Sequence, residues 1–156
     1  MSELNTKSFE ETIVNILEGK TRENALAFAA FLKASNMITG ENHGTVVYQG
    51  NVLAWMHMGG KPEMPGPWTI WPDLDGSVPE GFAFDAAMKE IAWKHVNICG
   101  NCGSECAPGS RKTIYGKEFD NVCGAILAFT DPDCETLECV KNLLELRKCG
   151  ISPVDK

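Results

Sequence analysis

TVVYQGNVLAWMHM, residues 45–58, is where the chain's apolar period changes from helical to extended. Thr45 to Tyr48 and Val52 to Met58 are rich in β-formers. They flank Gln49-Gly50-Asn51, and Gly50-Asn51 suits a two-residue hairpin turn. A tight hairpin makes its two strands antiparallel. Alternation puts Leu53, Trp55 and His57 on one face of the second strand and Val52, Ala54, Met56 and Met58 on the other. Apolar residues on both faces predict a central, covered strand.

Upstream of the hairpin the period is helical. Ser8-Phe9-Glu10-Glu11 reads as a capping box, followed by Phe9, Ile13, Ile16 and Leu17 at helical spacing. Gly19 reads as the stop and Thr21 as a second N-cap. Leu26, Ala29, Ala30 and Lys33, widened by Phe28, Phe31 and Leu32, form the stripe of a helix reaching about Ser35.

Downstream, Gly59 to Pro67 is rich in proline and glycine and reads as a loop. Trp68 to Trp71 is a short strand, ended by the turn residues Pro72-Asp73-Leu74-Asp75-Gly76. Helical spacing returns from Phe84 to Val96, through Met88, Ile91, Ala92 and His95. Thr113 to Tyr115 and Gly124 to Phe129 read as strands. Asp131 and Pro132 open a last helix with a Leu137, Val140, Leu143 and Leu144 stripe. The order is two helices, three strands, a helix, a cysteine loop, two strands and a helix. This predicts one α+β domain over 1–156, with about five antiparallel strands and helices packed against them. Its segments are N-terminal helices at 1–36, strands at 45–71, a helix at 84–96, a cysteine-rich segment at 97–123, and a strand and helix at 124–148.

The totals agree. A chain of 156 residues, 44% hydrophobic and 22% charged, suits a single core. The net charge of −7 is spread evenly, as nine acids and five bases up to residue 78, then twelve and nine. That balance argues against nucleic-acid or anionic-membrane partners, which need clustered Lys and Arg. Arg111, Lys112 and Lys117 are the one local basic group, and they read as ordinary solvated charge. The polar N-terminal stretch MSELNTKSFEETIVN lacks an apolar core of signal-peptide length, and no stretch is apolar enough to span a bilayer. The expected setting is cytoplasmic, where thiols stay reduced unless bound or catalytic.

Four cysteines then draw attention. Cys99-Gly-Asn-Cys102-Gly103 has the form of a zinc knuckle, whose spacing lets both sulfurs reach one centre. Cys106 lies close enough to be a third ligand. Cys123 is the best fourth, since it closes the hairpin-like segment Arg111 to Val122 and is followed by glycine. Four thiolates make a closed, structural site, for which zinc is the expected metal and an iron–sulfur centre the less favoured one. His95 is an alternative ligand in place of Cys106 or Cys123. Other readings are a disulfide, a redox pair at Cys99 and Cys102, and unrelated thiols. A redox C-x-x-C usually sits at a helix N-terminus, whereas this one follows a helix, an order that favours metal. Cys134, Cys139 and Cys149 read as packing or surface thiols.

Trp55, His57, Trp68 and Trp71 lie in the strands and suggest an aromatic cleft for a small apolar or cationic ligand. The same four also read as core tryptophans and a satisfied core histidine. No phosphate loop, dinucleotide fingerprint, nucleophile elbow or H-E-x-x-H is present, so no catalytic residue is assigned.

The stretch from Asn97 to Lys148, with its C-x-x-C at 99–102, Cys106-Ala-Pro-Gly109, Ile114-Tyr-Gly-Lys-Glu-Phe119, Cys123 and the helix Leu137 to Arg147, resembles a family of small, uncharacterised bacterial proteins. That resemblance implies relatedness and no activity. The element order upstream is similar to small α+β domains that serve bacteria as effector-binding modules. The expected function is a ligand-binding or sensor-type module with a structural zinc site. The alternatives are a thiol-based redox enzyme and a protein-interaction module.

Overall fold

A computed structural model describes residues 8–40, 44–58, 67–74, 76–78, 84–98 and 109–149. Its described elements are α1 (Phe9–Ile16), α2 (Gly19–Ala34), β1 (Ile38–Thr39), β2 (Thr45–Tyr48), β3 (Asn51–Met58), β4 (Trp68–Pro72), α3 (Ala86–Lys94), β5 (Val96–Ile98), β6 (Ser110–Ile114), β7 (Lys117–Leu127), β8 (Phe129–Thr130) and α4 (Cys134–Cys149). The fold is α+β. One antiparallel sheet has the order β1-β2-β3-β4-β8, and a second, smaller one has the order β5-β7-β6.

The first helix forms as its sequence dictates. Ser8 Oγ accepts from Glu11 N–H and Glu11 Oε1 accepts from Ser8 N–H, both at 3.0 Å. Phe9, Ile13 and the capping Leu17 are buried, while Ile16 is exposed. Gly19 does not simply end this helix. Its φ of +65° makes the sharp turn that starts α2, a conformation glycine adopts without steric cost. The Arg22 guanidinium then reaches back to the Leu17 and Val14 carbonyls, both at 2.9 Å, and satisfies the end of α1. Thr21 is accordingly no N-cap; its hydroxyl donates to Asp131. The buried stripe of α2 is Ala25, Phe28, Ala29 and Leu32.

β3 is central in the larger sheet, as the apolar pattern of the hairpin predicts, but it is not covered on both faces, since Trp55 is exposed. The hairpin turn is one residue earlier than its composition suggests. Tyr48 pairs with Asn51, so Gln49 and Gly50 occupy the turn, with φ of +50° and +80°. Positive φ at both positions is the primed turn that matches strand twist. A register shift opposite Val46 and Val47 makes Leu53 an extra residue in β3. Leu53 and Ala54 are therefore buried in succession, where strict alternation forbids it.

One face of this sheet carries Ala54, Met56, Trp68 and Ile70, all buried. Helix α2 covers it, with the Phe28 and Trp68 rings 5.8 Å apart. Helix α4 packs on α2, β3 and β4, burying Leu137, Cys139, Val140, Leu143, Leu144 and Leu146. Its N-cap is Asp133, whose Oδ1 accepts from Thr136 N–H at 2.8 Å, two residues later than the Asp-Pro pair implies. Asp131 instead sits at φ +46° and donates its N–H to the Trp68 carbonyl. β1 has no counterpart in the sequence-based order; β5 starts at Val96, where a helix is expected, and β8 starts at Phe129, the last residue of an expected strand that otherwise falls at the end of β7.

Candidate metal centre and aromatic sheet face

Cys123 lies in β7, and the register of β7 decides what surrounds it. On one side Val122 pairs with Ile98, the last residue of β5. On the other side the same Val122 pairs with Ser110, the first residue of β6. Ile98 and Ser110 thus flank Val122 on its two sides. The residue next to Val122 is Cys123, half-buried and with a free thiol.

Two irregularities shape this point. From Val96↔Leu127 to Ile98↔Val122, two steps along β5 match five along β7, so β7 bulges between Val122 and Leu127. Cys123 opens that bulge, and bulges re-aim the side chains they carry. On the β6 side, Asn121 has φ +60° and the register slips again between Ser110 and Lys112. Gly109 fits there because it lacks a side chain: an added Cβ would stand 2.5 Å from the Asn121 carbonyl carbon. The returning chain is pressed against β7 two residues from Cys123.

Cys99, Cys102 and Cys106 lie outside the described residues. Among the described residues, no three His, Cys, Asp or Glu side chains are grouped to hold a metal ion. His95 is engaged elsewhere. It caps α3, its ring lies 4.7 Å from that of Phe129, and its carbonyl accepts from Ala128 N–H. It precedes Val96, which pairs with Leu127 at the far end of the bulge from Cys123. Strand β5 separates α3 from Cys99, so the end of α3 gives no ground for preferring metal to a redox pair.

The other thiols are described. Cys134 and Cys149 are exposed at the two ends of α4. Cys139 is fully buried, and its Sγ donates to the Met88 carbonyl. Burial, with a smaller push from Asp85, raises its pKa to about 12, so it stays a thiol at neutral pH. Of the local basic group, Arg111 pairs with Asp120 at 2.8 Å, and Lys117 lies over the Trp93 ring at 5.2 Å.

The four aromatic-cleft residues divide between two faces. Trp68 is fully buried under α2, on the helix-covered face. Trp55, His57 and Trp71 share the opposite face, where Trp55 pairs directly with Trp71 and His57 with Thr69. Trp68 and Trp71 are three apart in one strand, and that odd spacing already places them on opposite sides. Trp55 is 43% exposed. His57 is half-buried, and its Nε2 is enclosed without a hydrogen-bond partner among the described residues.

Burial lowers the pKa of His95 from its ordinary 6.5; a hydrogen bond to the Ala128 backbone and the charge of Asp133 partly offset this, and Lys94 adds to it. The unfolded chain therefore takes up the proton more readily than the folded one. Stability is expected to fall as pH drops below 6.5 toward the folded value, and to flatten beneath that value. The urea midpoint of the wild type should be lower at pH 5.5 than at pH 7.5. His95→Gln should reduce that difference, and an equal difference in both proteins would refute the assignment.

No protein-family model matches the chain, and neither does any curated protein or solved structure. Among the described residues, no helix is long and apolar enough to cross a membrane.

Proposed function

We propose that this chain is a small ligand-binding or sensor-type module, working in a reducing, cytoplasmic setting. Its cysteine-rich segment is fastened by one structural zinc ion on Cys99, Cys102, Cys106 and Cys123. One observation carries the reading: Ile98 and Ser110, on either side of the cysteine-rich segment, both pair with Val122, beside Cys123. That register supports a chain segment with three cysteines brought back to a fourth. A thiolate set of this kind holds metal in a closed site that does no chemistry of its own. Zinc would tie the segment to the β7 bulge.

Metal analysis with thiol counting tests this. Protein purified without added zinc should contain one equivalent of metal. Of its seven cysteines, only the exposed Cys134 and Cys149 should then react quickly with a thiol reagent. A chelator should free the four proposed ligands, leaving the buried Cys139 to react only in denaturant. Metal-free protein in which Cys99 alkylates as fast as Cys134 would replace this reading with the redox one.

A further inference from the structure

A groove is bounded by α1, α2 and β1, an edge strand of the larger sheet. Phe9, Ala29, Leu32 and Met37 form its buried apolar floor, and Ile38 of β1 stands beside them, 64% exposed. Proteins commonly cover a sheet edge with further chain, and an apolar groove beside one suits an extended segment. The Lys33–Glu10 ion pair, at 2.9 Å, sets one charge of each sign at the rim. The last turn of α4 lies close by. Ser35 Oγ donates to Glu145 Oε2 at 3.4 Å, and Lys148 Nζ lies over the Tyr48 ring at 4.6 Å. Ser35 precedes the floor residue Met37 by two positions, and Tyr48 follows Val47, the strand partner of Ile38.

We infer that this groove is the docking site of residues 150–156, the segment that follows α4, with Ile151 and Val154 seated on the apolar floor. These residues lie outside the described ones. Their length reaches: seven extended residues span about 23 Å. The groove begins one strand beyond Tyr48, a step of about 5 Å. Their composition fits as well. In Gly150-Ile-Ser-Pro-Val-Asp-Lys156, Pro153 opposes continuation of the helix and favours an extended Ser152. In a polyproline helix of three residues per turn, Ile151 and Val154 fall on one side. An edge strand is also where a proline, with no N–H to donate, is tolerated. Asp155 and Lys156 then match the Lys33 and Glu10 rim, charge for charge. Residues 1–7 adjoin the groove too, but Leu4 is their one branched apolar residue and they contain no proline. A second copy related by a two-fold axis sets Glu10 and Glu11 against their own counterparts, on a chain of net charge −7. The inference stands apart from the metal and ligand readings above.

The test is NMR of the methyl-labelled, metal-replete full chain. Nuclear Overhauser contacts should join the Ile151 and Val154 methyls to those of Met37 and Ile38. Amide order parameters at Ile151 and Val154 should stay above about 0.6, below which backbone counts as flexible. Replacing Ile151 and Val154 together by Asp should erase those contacts, shift the Met37 and Ile38 signals, and leave those of Val14 and Leu144 in place. Ile38→Asp, at an exposed position, should drop the order parameters at 151 and 154 below that value. Met37 and Ile38 signals that ignore the double substitution overturn the inference. Contacts from Leu4 in place of Ile151 also overturn it and give the groove to residues 1–7. Ile38 signals that move with protein concentration overturn it in favour of a second copy.

Discussion

Trp68→Ala is expected to cost about 3–5 kcal/mol of folding stability, the usual range for removing a fully buried tryptophan. Trp68 has no exposed surface and lies where α2 meets the larger sheet, against Phe28. Its carbonyl also accepts from the Asp131 N–H, so the site joins β4 to the approach of α4. Truncation leaves a cavity against Phe28, which is fully buried as well. Against a typical total of about 5–15 kcal/mol, the loss is a large fraction. For a chain of this size it lowers Tm by roughly 10 °C or more. The urea midpoint should fall with little change in slope. Trp68→Phe is the informative companion. It also loses volume, but it removes an indole N–H that is buried without a partner among the described residues. Its cost should be well under half that of the alanine variant, and equal losses would show that the N–H is in fact paired.

The same residue shows how far sequence carries the fold. Period alone identifies β3 and β4, and an odd spacing separates Trp68 from Trp71. The capping box at Ser8 and the stripe Leu137, Val140, Leu143 and Leu144 are legible because each repeats local chemistry over one or more turns. β1, β5 and β8 are not legible. At two or three residues each, they are too short to show a period and exist only because a neighbouring strand pairs with them. The hairpin turn misleads for a related reason. Asn at positive φ points to Gly50-Asn51, yet Tyr48 pairs with Asn51 and Gln49 takes the left-handed position. The Asn51 side chain then donates to the Gln49 carbonyl, so asparagine still serves the turn from outside it.

The cysteine site is legible in composition and not in geometry. Spacing nominates Cys123, and the hairpin from Ser110 to Leu127 agrees with the segment it was expected to close. What spacing cannot give is that β5 also pairs with β7, or that bulges on both sides bring Ile98 and Ser110 level with Val122. Bulges are set by tertiary pairing, and a change of register by one residue turns a side chain to the other face. For Asp131, the turn chemistry of Asp-Pro outweighed a cap two positions on, because Asp133 offers the same carboxylate to α4.

Cys123→Ser is expected to produce the second large loss, and one that depends on metal. On the proposed site it replaces one thiolate of four by a poor ligand, so zinc affinity and folding stability fall together. Loss of a structural metal belongs with the mechanisms that cost roughly 4 kcal/mol or more. A fall in Tm of about 10 °C follows for a chain of this length. The position is half-buried, and Cys→Ser changes little volume there. Packing alone therefore predicts a loss of about 1 kcal/mol. The difference between these figures is the test. In the presence of a chelator, wild type and Cys123→Ser should melt at nearly the same temperature, because the wild type has then lost the same ion. With zinc restored, only the wild type should recover. Cys134→Ser and Cys149→Ser, at exposed positions, should stay within about 0.5 kcal/mol of the wild type with or without metal. A Cys123→Ser melting curve that overlays the metal-replete wild type would remove the fourth sulfur from the site, and with it the proposed fastening of residues 99–108 to β7.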